Sequence, residues 1–398
     1  MQQLFLKARP ILEHLITSEY EAYYVGGAVR DALLERAIGD IDIATSAPPE
    51  KVVELFEKTI PVGIEHGTVM VGMNGEYYEV TTYRREGKYE DYRHPSDVQF
   101  ITSLEEDLSR RDFTINAIAM DIDSKLADPF GGQVDLQKRL LQTVRNPYER
   151  FEEDPLRIMR AVRFISQLGF ELEENTKQAM TKLAPLLKKI AVERITVEFE
   201  KLLGGQYTER AFLLLIETDV TAYLPYLEEQ ADNLRKCGSY QFSKLETAEE
   251  RWALFLYILN QNDVRSFLKE WKCSNKQMNR VTALLNALKE SNANGITPML
   301  VYKLGSEHIT KFARLRAAAR NENEKELQEF VSKQYEALPI QTRKQLAING
   351  NNLMEWMNQQ GGPWLSDTLI KVERAVINGE VKNEKKTIRE WLDSCHHQ

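Results

Sequence analysis

In the run Gly39-Asp40-Ile41-Asp42-Ile43, two carboxylates stand one residue apart. Side chains along a strand alternate between faces, so Asp40 and Asp42 are expected to project from one face while Ile41 and Ile43 enter a core. A face of that kind can hold Mg²⁺, which takes one or two carboxylates and leaves its other positions to water and substrate phosphates. Two such ions can clamp the attacking and leaving oxygens of a phosphoryl displacement, and the chemistry implied is metal-dependent nucleotidyl transfer. An isolated pair of this spacing is also an ordinary polar strand end, so the weight falls on what precedes it. Glu21 to Val25 is short and β-prone, Gly26-Gly27 permits a sharp turn, and Val29 to Arg36 sets Val29, Ala32 and Leu33 on one helical face. Strand, glycine turn and helix aim free backbone N–H groups and the positive helix end at an anion, and Arg30 adds a full charge in the first turn. A triphosphate fits there; a turn needed only for packing would also explain the glycines.

A second constellation offers a way to choose a base. Glu153-Asp154-Pro155-Leu156-Arg157 reads as a helix start with Asp154 as N-cap and Pro155 at the first helical position. Asp154 and Arg157 are three apart and can lie side by side, a carboxylate acceptor next to a fork of guanidinium donors. Cytosine and adenine each present an amino donor beside an acceptor and match that order. Guanine and uracil reverse it and would set carbonyl against carboxylate, a mismatch that a buried polar edge rejects far better than an apolar pocket does. Arg160 and Arg163 continue the spacing over apolar Ile158, Val162 and Ile165, either as a solvated face or, beside a triphosphate, as part of its site. Arg111, Asp112 and Asn116 also read two ways: a salt-bridged junction, or phosphate contact by Arg111 with ribose contact by Asp112 or Asn116.

These residues need a mixed sheet and a helix to position them. Ala47 to Lys58 is predicted as a helix opened by Pro48-Pro49, and Thr68 to Met73 and Glu76 to Tyr83 alternate about Asn74-Gly75 as a hairpin. Arg84 to Pro95, dense in charge and tyrosine, reads as a mobile loop. Ser103-Leu104-Glu105-Glu106 matches a capping box, and Asp128-Pro129-Phe130-Gly131-Gly132 is read as the end of the first compact unit. From about Arg150 the pattern is helical almost throughout, as at Trp252, Phe255, Leu256 and Leu259. The expected fold class is therefore α+β, an N-terminal mixed-sheet head followed by all-α regions.

The 398 residues, 42% of them apolar, exceed one ordinary domain of roughly 100 to 200 residues. No stretch approaches a signal peptide or membrane span, which places the chain in the cytoplasm by expectation. Cys237, Cys273 and Cys395 are too far apart for a metal knuckle and read as free thiols, and the terminal Cys395-His396-His397 reads as a frayed end. A net charge of −8 argues against broad affinity for nucleic acid, yet Lys138 to Arg163 carries seven basic residues against four acidic ones. A basic patch can sit within an acidic chain. Composition leaves a homodimer open.

Taken in order, Gly26-Gly27-Ala28-Val29-Arg30-Asp31 with Asp40 and Asp42, Arg111-Asp112-Phe113-Thr114-Ile115-Asn116-Ala117, and Glu153-Asp154-Pro155-Leu156-Arg157 resemble the first, ribose and base-selecting motifs of the CCA-adding enzymes. These are tRNA nucleotidyltransferases of the bacterial and eukaryotic class in the polymerase-β-like superfamily. Glu193-Arg194-Ile195 with Glu198, Lys201, Leu202 and Leu203 resembles the helix motif that follows, and Ile348-Asn349-Gly350, Gly362-Pro363 and Val376-Ile377-Asn378-Gly379 resemble the C-terminal region. The resemblance implies a catalytic head (1–148), a base-selecting neck (149–205), and a helical body (206–295) and tail (296–398) that hold tRNA. It implies CCA addition to the tRNA 3′ end from CTP and ATP, Mg²⁺ on Asp40 and Asp42, and nucleotide contacts from Gly27, Arg30, Arg111, Arg160 and Arg163. Glu79 is a candidate third carboxylate by strand position. The competitors are a bacterial poly(A) polymerase, disfavoured by Val62-Gly63-Ile64-Glu65-His66-Gly67-Thr68-Val69 and the lack of long basic extensions, and partial enzymes adding only CC or only A. The intact loop from Arg84 to Pro95 disfavours CC addition alone. With His308 the only histidine between His94 and the terminal pair, no HD phosphohydrolase is expected.

Overall fold

The computed structural model describes residues 3–87 and 97–395. Its contacts divide into two compact units, Met1–Ala231 and Asp232–Gln398. The boundary falls inside the stretch 206–295 that the resemblance assigns to one body.

In the first unit, helix α1 (Gln3–Thr17) leads into strand β1 (Ala22–Val25), α2 (Gly27–Leu33), β2 (Asp42–Thr45) and α3 (Pro49–Leu55). Then come β3 (Thr59–Gly63), β4 (Thr68–Met73), β5 (Glu76–Thr82), β6 (Arg84–Glu86), β7 (Val98–Phe100) and α4 (Leu104–Ser109). Strands β8 (Ala119–Met120) and β9 (Leu126–Ala127), helix α5 (Gly132–Lys138) and β10 (Leu140–Leu141) close the sheet-bearing part. Helices α6 (Pro147–Glu153) and α7 (Leu156–Leu168), strand β11 (Glu171–Leu172), and helices α8 (Glu174–Leu183), α9 (Val192–Leu203) and α10 (Thr208–Glu217) follow.

The main sheet runs β3-β4-β5-β2-β1-β8-β9 and is mixed, because β2 and β5 pair in parallel while the other neighbours are antiparallel. Its register sets Val25 opposite Asp42 and Asp42 opposite Glu79, so the end of β1, the start of β2 and mid-β5 meet at one edge of the core. Tyr24, Val25, Ile43 and Ala44 are buried there, which anchors the chain immediately beside the acidic residues. Asn74 and Gly75 both adopt positive φ, the geometry of a two-residue hairpin turn that matches strand twist. Ser103 caps α4 by accepting the Glu106 N–H.

The structure corrects several details. Asp40 lies ahead of β2, which begins at Asp42, so only the second carboxylate belongs to the strand. Of the segment read as a loop, Arg84–Glu86 forms a strand paired with Val98–Phe100; residues 88–96 lie outside the described residues. The Asp128 carboxylate accepts the Gly132 and Gln133 N–H groups and so starts α5, and the compact unit continues well beyond it. The predominantly helical stretch contains β11, which pairs in parallel with β10.

The second unit holds α11 (Ala231–Lys236, whose first residue lies just before the boundary), α12 (Ala248–Ile258), α13 (Val264–Glu270), α14 (Asn275–Asn294) and α15 (Pro298–Arg320). Helices α16 (Glu324–Glu336), α17 (Gly350–Met357), α18 (Pro363–Ile377) and α19 (Lys385–Cys395) complete it. Trp252, Phe255, Phe267 and Trp271 form a buried aromatic cluster. A second core joins Ile348, Leu353, Val372, Val376, Ile388 and Leu392. The C-terminal motifs are helix punctuation: Asn349 caps α17 and Gly362-Pro363 opens α18. Cys237, Cys273 and Cys395 are free thiols. Among the described residues no helix is long and apolar enough to cross a membrane.

Candidate active site

The acidic corner is built on the β1–α2 turn. Gly26 sits at φ +71, and a Cβ there would lie 3.2 Å from Arg111 Nη1 and 3.6 Å from Asp42 Oδ2. Glycine is therefore demanded both by the backbone and by the approach of two site residues. Asp42 faces Glu79 across the parallel ladder. Its carboxyl is pushed up to about 6, first by burial and then by the negative charge of Glu79 and Asp40, with Arg111 opposing. Crowded, partly desolvated carboxylates of this kind are relieved by a cation, and an all-oxygen donor set fits a hard divalent one. Among the described residues no three histidine, cysteine or acidic groups cluster closely enough to form a ready-made cage. Glu79 is the register neighbour of Asp42 on β5, near enough for its charge to raise the Asp42 carboxyl.

Behind this corner stands a wall of arginines, each fixed by the protein. Arg30 gives Nε and Nη2 to Asp31 (3.0 and 2.9 Å) and Nη1 to Asn116 Oδ1 (2.7 Å). Asn116 in turn gives its amide to Asp112 (3.0 Å), which also accepts the Phe113 N–H (2.8 Å) and Arg160 Nε (2.7 Å). Burial pushes the Asp112 carboxyl up, but Arg160 and Asn116 more than offset this and hold it well below the usual carboxylate range. The Asp112 oxygens thus anchor the wall through the Phe113 N–H, Asn116 and Arg160. Arg163 pairs with Glu198 on α9 at 3.0 Å and is pushed down to about 10 by burial. Burial also lowers Arg111, whose buried Nε has no partner in the protein and whose Nη2 reaches Asp107 at 3.4 Å. Phe164 lies under the wall, with Arg30, Arg160 and Arg163 at 5.2, 5.7 and 4.2 Å from its ring centre.

At the base-reading end, Asp154 Oδ1 accepts the Leu156 N–H at 3.1 Å with Pro155 already helical, which realises the expected cap. Asp154 Oδ2 accepts Arg194 Nη2 at 3.0 Å. Arg157 gives Nη1 to Glu153 (2.9 Å) and to the Arg150 carbonyl (3.1 Å), and Nη2 to the Arg110 carbonyl (3.2 Å). Each member is thus held by other groups.

One open cavity of about 850 Å³ is lined by Gly27, Arg30, Asp40, Asp42, Arg111, Asp112, Asn116, Asp154, Arg157, Arg160 and Arg163, so every site residue picked from the sequence faces the same space; Glu79 does not line it. The basic run from Lys138 to Arg163 is divided, since Arg145 and Arg150 line a smaller neighbouring hollow. Phe164 and Arg110, which the sequence did not single out as site residues, and Arg194 and Lys201, named there in a helix motif without an assigned contact, also line the main cavity. Arg194, Glu198 and Lys201 lie at four- and three-residue steps on α9, and that spacing was the available signal.

A mixed-sheet head with two acids at and just ahead of the start of one strand, and an arginine-lined cavity beside them, defines a nucleotidyltransferase. Residues 22–142 match the poly A polymerase head domain, residues 169–230 the RNA and SrmB binding site of polymerase A, and residues 243–392 tRNA nucleotidyltransferase domain 2. The CCA-adding enzyme of Geobacillus sp. (strain WCH70) is 48% identical over 98% of this chain and 97% of its own length. That of Bacillus cereus (strain B4264) is 48% identical over 98% and 99%. The crystal structure of Bacillus stearothermophilus CCA-adding enzyme in complex with CTP is 44% identical and superposes with a TM-score of 0.93, covering 100% of this chain and 98% of that one. The chain belongs to the CCA-adding enzymes. Near-full-length relatives of that name disfavour the poly(A) polymerase and partial-enzyme readings.

Proposed function

We propose that this chain completes the tRNA 3′ end in the cytoplasm, taking CTP for the two cytidines and ATP for the final adenosine, with Mg²⁺ held by Asp40 and Asp42. The observation that carries the reading is the continuity of one cavity from those acids, along the arginine wall, to Asp154 and Arg157. Mg²⁺ suits the oxygen donors and, when bound, supplies charge stabilisation at the transferring phosphoryl group. In the reaction the RNA 3′ oxygen bonds to the α-phosphorus, and the bond to the departing pyrophosphate breaks. Gly27, Arg30, Arg111, Arg160 and Arg163 hold the triphosphate. Asp112 and Asn116 fix the wall beside the ribose, and Asp154 and Arg157 present the edge that selects cytosine or adenine without a nucleic-acid template. In this division of labour 1–148 does the chemistry, 149–205 chooses the base, and 206–295 and 296–398 hold tRNA.

The test uses tRNAs lacking CCA, CA or only A, each incubated with one nucleotide and read by product length. CTP should extend the first two, ATP the third, and GTP and UTP none. Extension of only the first two acceptors, or of only the third, would mark a partial enzyme, and long adenosine runs on any acceptor would overturn the reading.

A further inference from the structure

Asp154 and Arg157 are oriented by partners of opposite charge on different elements. Arg157 is gripped within its own segment by Glu153 at 2.9 Å, whereas Asp154 is reached from α9 by Arg194 at 3.0 Å. We propose that Arg194 is a specificity-positioning residue: through Asp154 it fixes which bases the cavity accepts. The inference rests on the base-selecting role of Asp154 and Arg157 proposed above.

Two bonds from two directions define the plane of the Asp154 carboxylate. Oδ1 is tied to the backbone of its own helix start and Oδ2 to a guanidinium from a neighbouring helix. Arginine has donors and no acceptor, so the oxygen that meets Arg194 must accept. The group is thereby held as an acceptor toward a bound base, the sense that welcomes the amino group of cytosine or adenine and repels the carbonyl of uracil or guanine. Without Arg194 the carboxylate keeps only the Leu156 N–H, and it can rotate away from the reading position or turn to Arg157 instead.

The surroundings favour this over simple bracing. Arg194 and Lys201 line the cavity, while Glu198, between them on α9, pairs with Arg163 of α7 at 3.0 Å. Two ion pairs of opposite polarity therefore join α7, or the residue that caps it, to α9. The Arg163–Glu198 pair is almost fully buried, with side chains 9% and 6% exposed, and is the one suited to hold the helices together. The Asp154–Arg194 pair is wetter, at 17% and 23%, so its contribution to stability is smaller, and its position at the reading edge is what matters.

The experiment measures single-turnover kcat/KM for CTP, UTP, ATP and GTP on matched tRNA acceptors in wild type, Arg194→Gln, Arg194→Lys, Asp154→Asn and the Asp154→Asn/Arg194→Gln double variant. Arg194→Gln should lower the CTP-over-UTP and ATP-over-GTP preferences about tenfold, with Arg194→Lys recovering part of the loss. Because Arg194 acts through Asp154, the double variant should show the preference of Asp154→Asn alone. If Asp154→Asn shifts preference while Arg194→Gln slows all four nucleotides equally, or if the two effects simply add, Arg194 is an ordinary brace and the inference fails alone. If Asp154→Asn leaves preference unchanged, the base-selecting reading fails and this inference with it. Should Arg194→Gln not fold, Arg194→Met, which keeps the stem and removes every donor, carries the same comparison, and an unchanged preference there overturns the assignment.

Discussion

Replacing Asp112 by asparagine separates an anchor from a ribose contact. Asp112 is 7% exposed and accepts from the Phe113 N–H, the Asn116 amide and two nitrogens of Arg160. Asparagine keeps the size but has one acceptor oxygen, so it can serve Arg160 or the Phe113–Asn116 side, not both. Removing one member of a buried ion pair costs roughly 3 to 5 kcal/mol. The Arg160 side chain is 32% exposed and water offsets part of that loss, which brings the expected destabilisation to about 2 to 3 kcal/mol. The sign with pH follows from the depressed Asp112 carboxyl, against an unfolded aspartate near about 3.9. Its contribution is complete above about pH 5 and is lost as pH falls below 4 toward the native value. Denaturant midpoints should therefore show a gap between wild type and Asp112→Asn that is full at neutral pH and narrows in acid. Because Asn116 also holds Arg30, use of CTP and ATP should fall by the same factor, about tenfold or more, with base preference and CTP-over-dCTP preference unchanged. Unaltered stability together with a selective loss of ribose discrimination would refute the anchor and make Asp112 a sugar contact.

Asp40→Ala and Asp42→Ala should abolish nucleotide addition, by about a thousandfold or more, while leaving the core around Ile41 and Ile43 folded; near-normal incorporation at saturating Mg²⁺, with an unchanged thermal midpoint, would remove them from the metal site. Gly26→Ala should cost roughly 1 to 3 kcal/mol through its positive φ and depress CTP and ATP use together by displacing Arg111, as read by denaturant melts alongside kcat/KM. Binding of tRNA should weaken steeply and log-linearly with salt in a filter assay, whereas a flat response would deny the basic-surface account. Ending the chain at Ala337 removes most of the core around Leu353 and Val376 and should impair tRNA use more than CTP binding; equal activity on tRNA would reject that region as a substrate holder.

Local patterns disclosed the parts of this fold whose causes are local. Asn74-Gly75 dictates a hairpin because both residues accept positive φ, and Asp154-Pro155 dictates a helix start because the cap and the missing N–H suit one. The alternation through Asp40 and Asp42 correctly sends Ile41 and Ile43 inward, yet the strand begins only at Asp42, because pairing with Val25 starts there and boundaries depend on partners that periodicity does not reveal. Arg84–Glu86 was hidden for the same reason, since its strand exists through pairing with Val98–Phe100. The partners of the site residues lay beyond local reading altogether: Asp112 meets Arg160 across 48 positions, and Asp154 meets Arg194 across 40.

Those long-range pairs explain why the wall of the cavity is built mainly from arginines. A guanidinium has several donors in a rigid fork, so it can be fixed by a protein carboxylate or carbonyl and still offer N–H groups elsewhere. Arg157 is held in this way by Glu153 and two backbone carbonyls, and Arg160 by Asp112. An ammonium on a flexible stem would have to choose between the protein and the phosphate. With the wall already oriented, the triphosphate of the proposed function would bind without first ordering four long side chains, and its negative charge would meet donors already in place. The opposite end obeys the reverse logic. Asp42 is pushed up to about 6 by burial and by its acidic neighbours, so that corner is completed only by positive charge. On the proposed function, a nucleotide carrying its own divalent cation would satisfy both ends at once, whereas either component alone would leave one end of the cavity uncompensated.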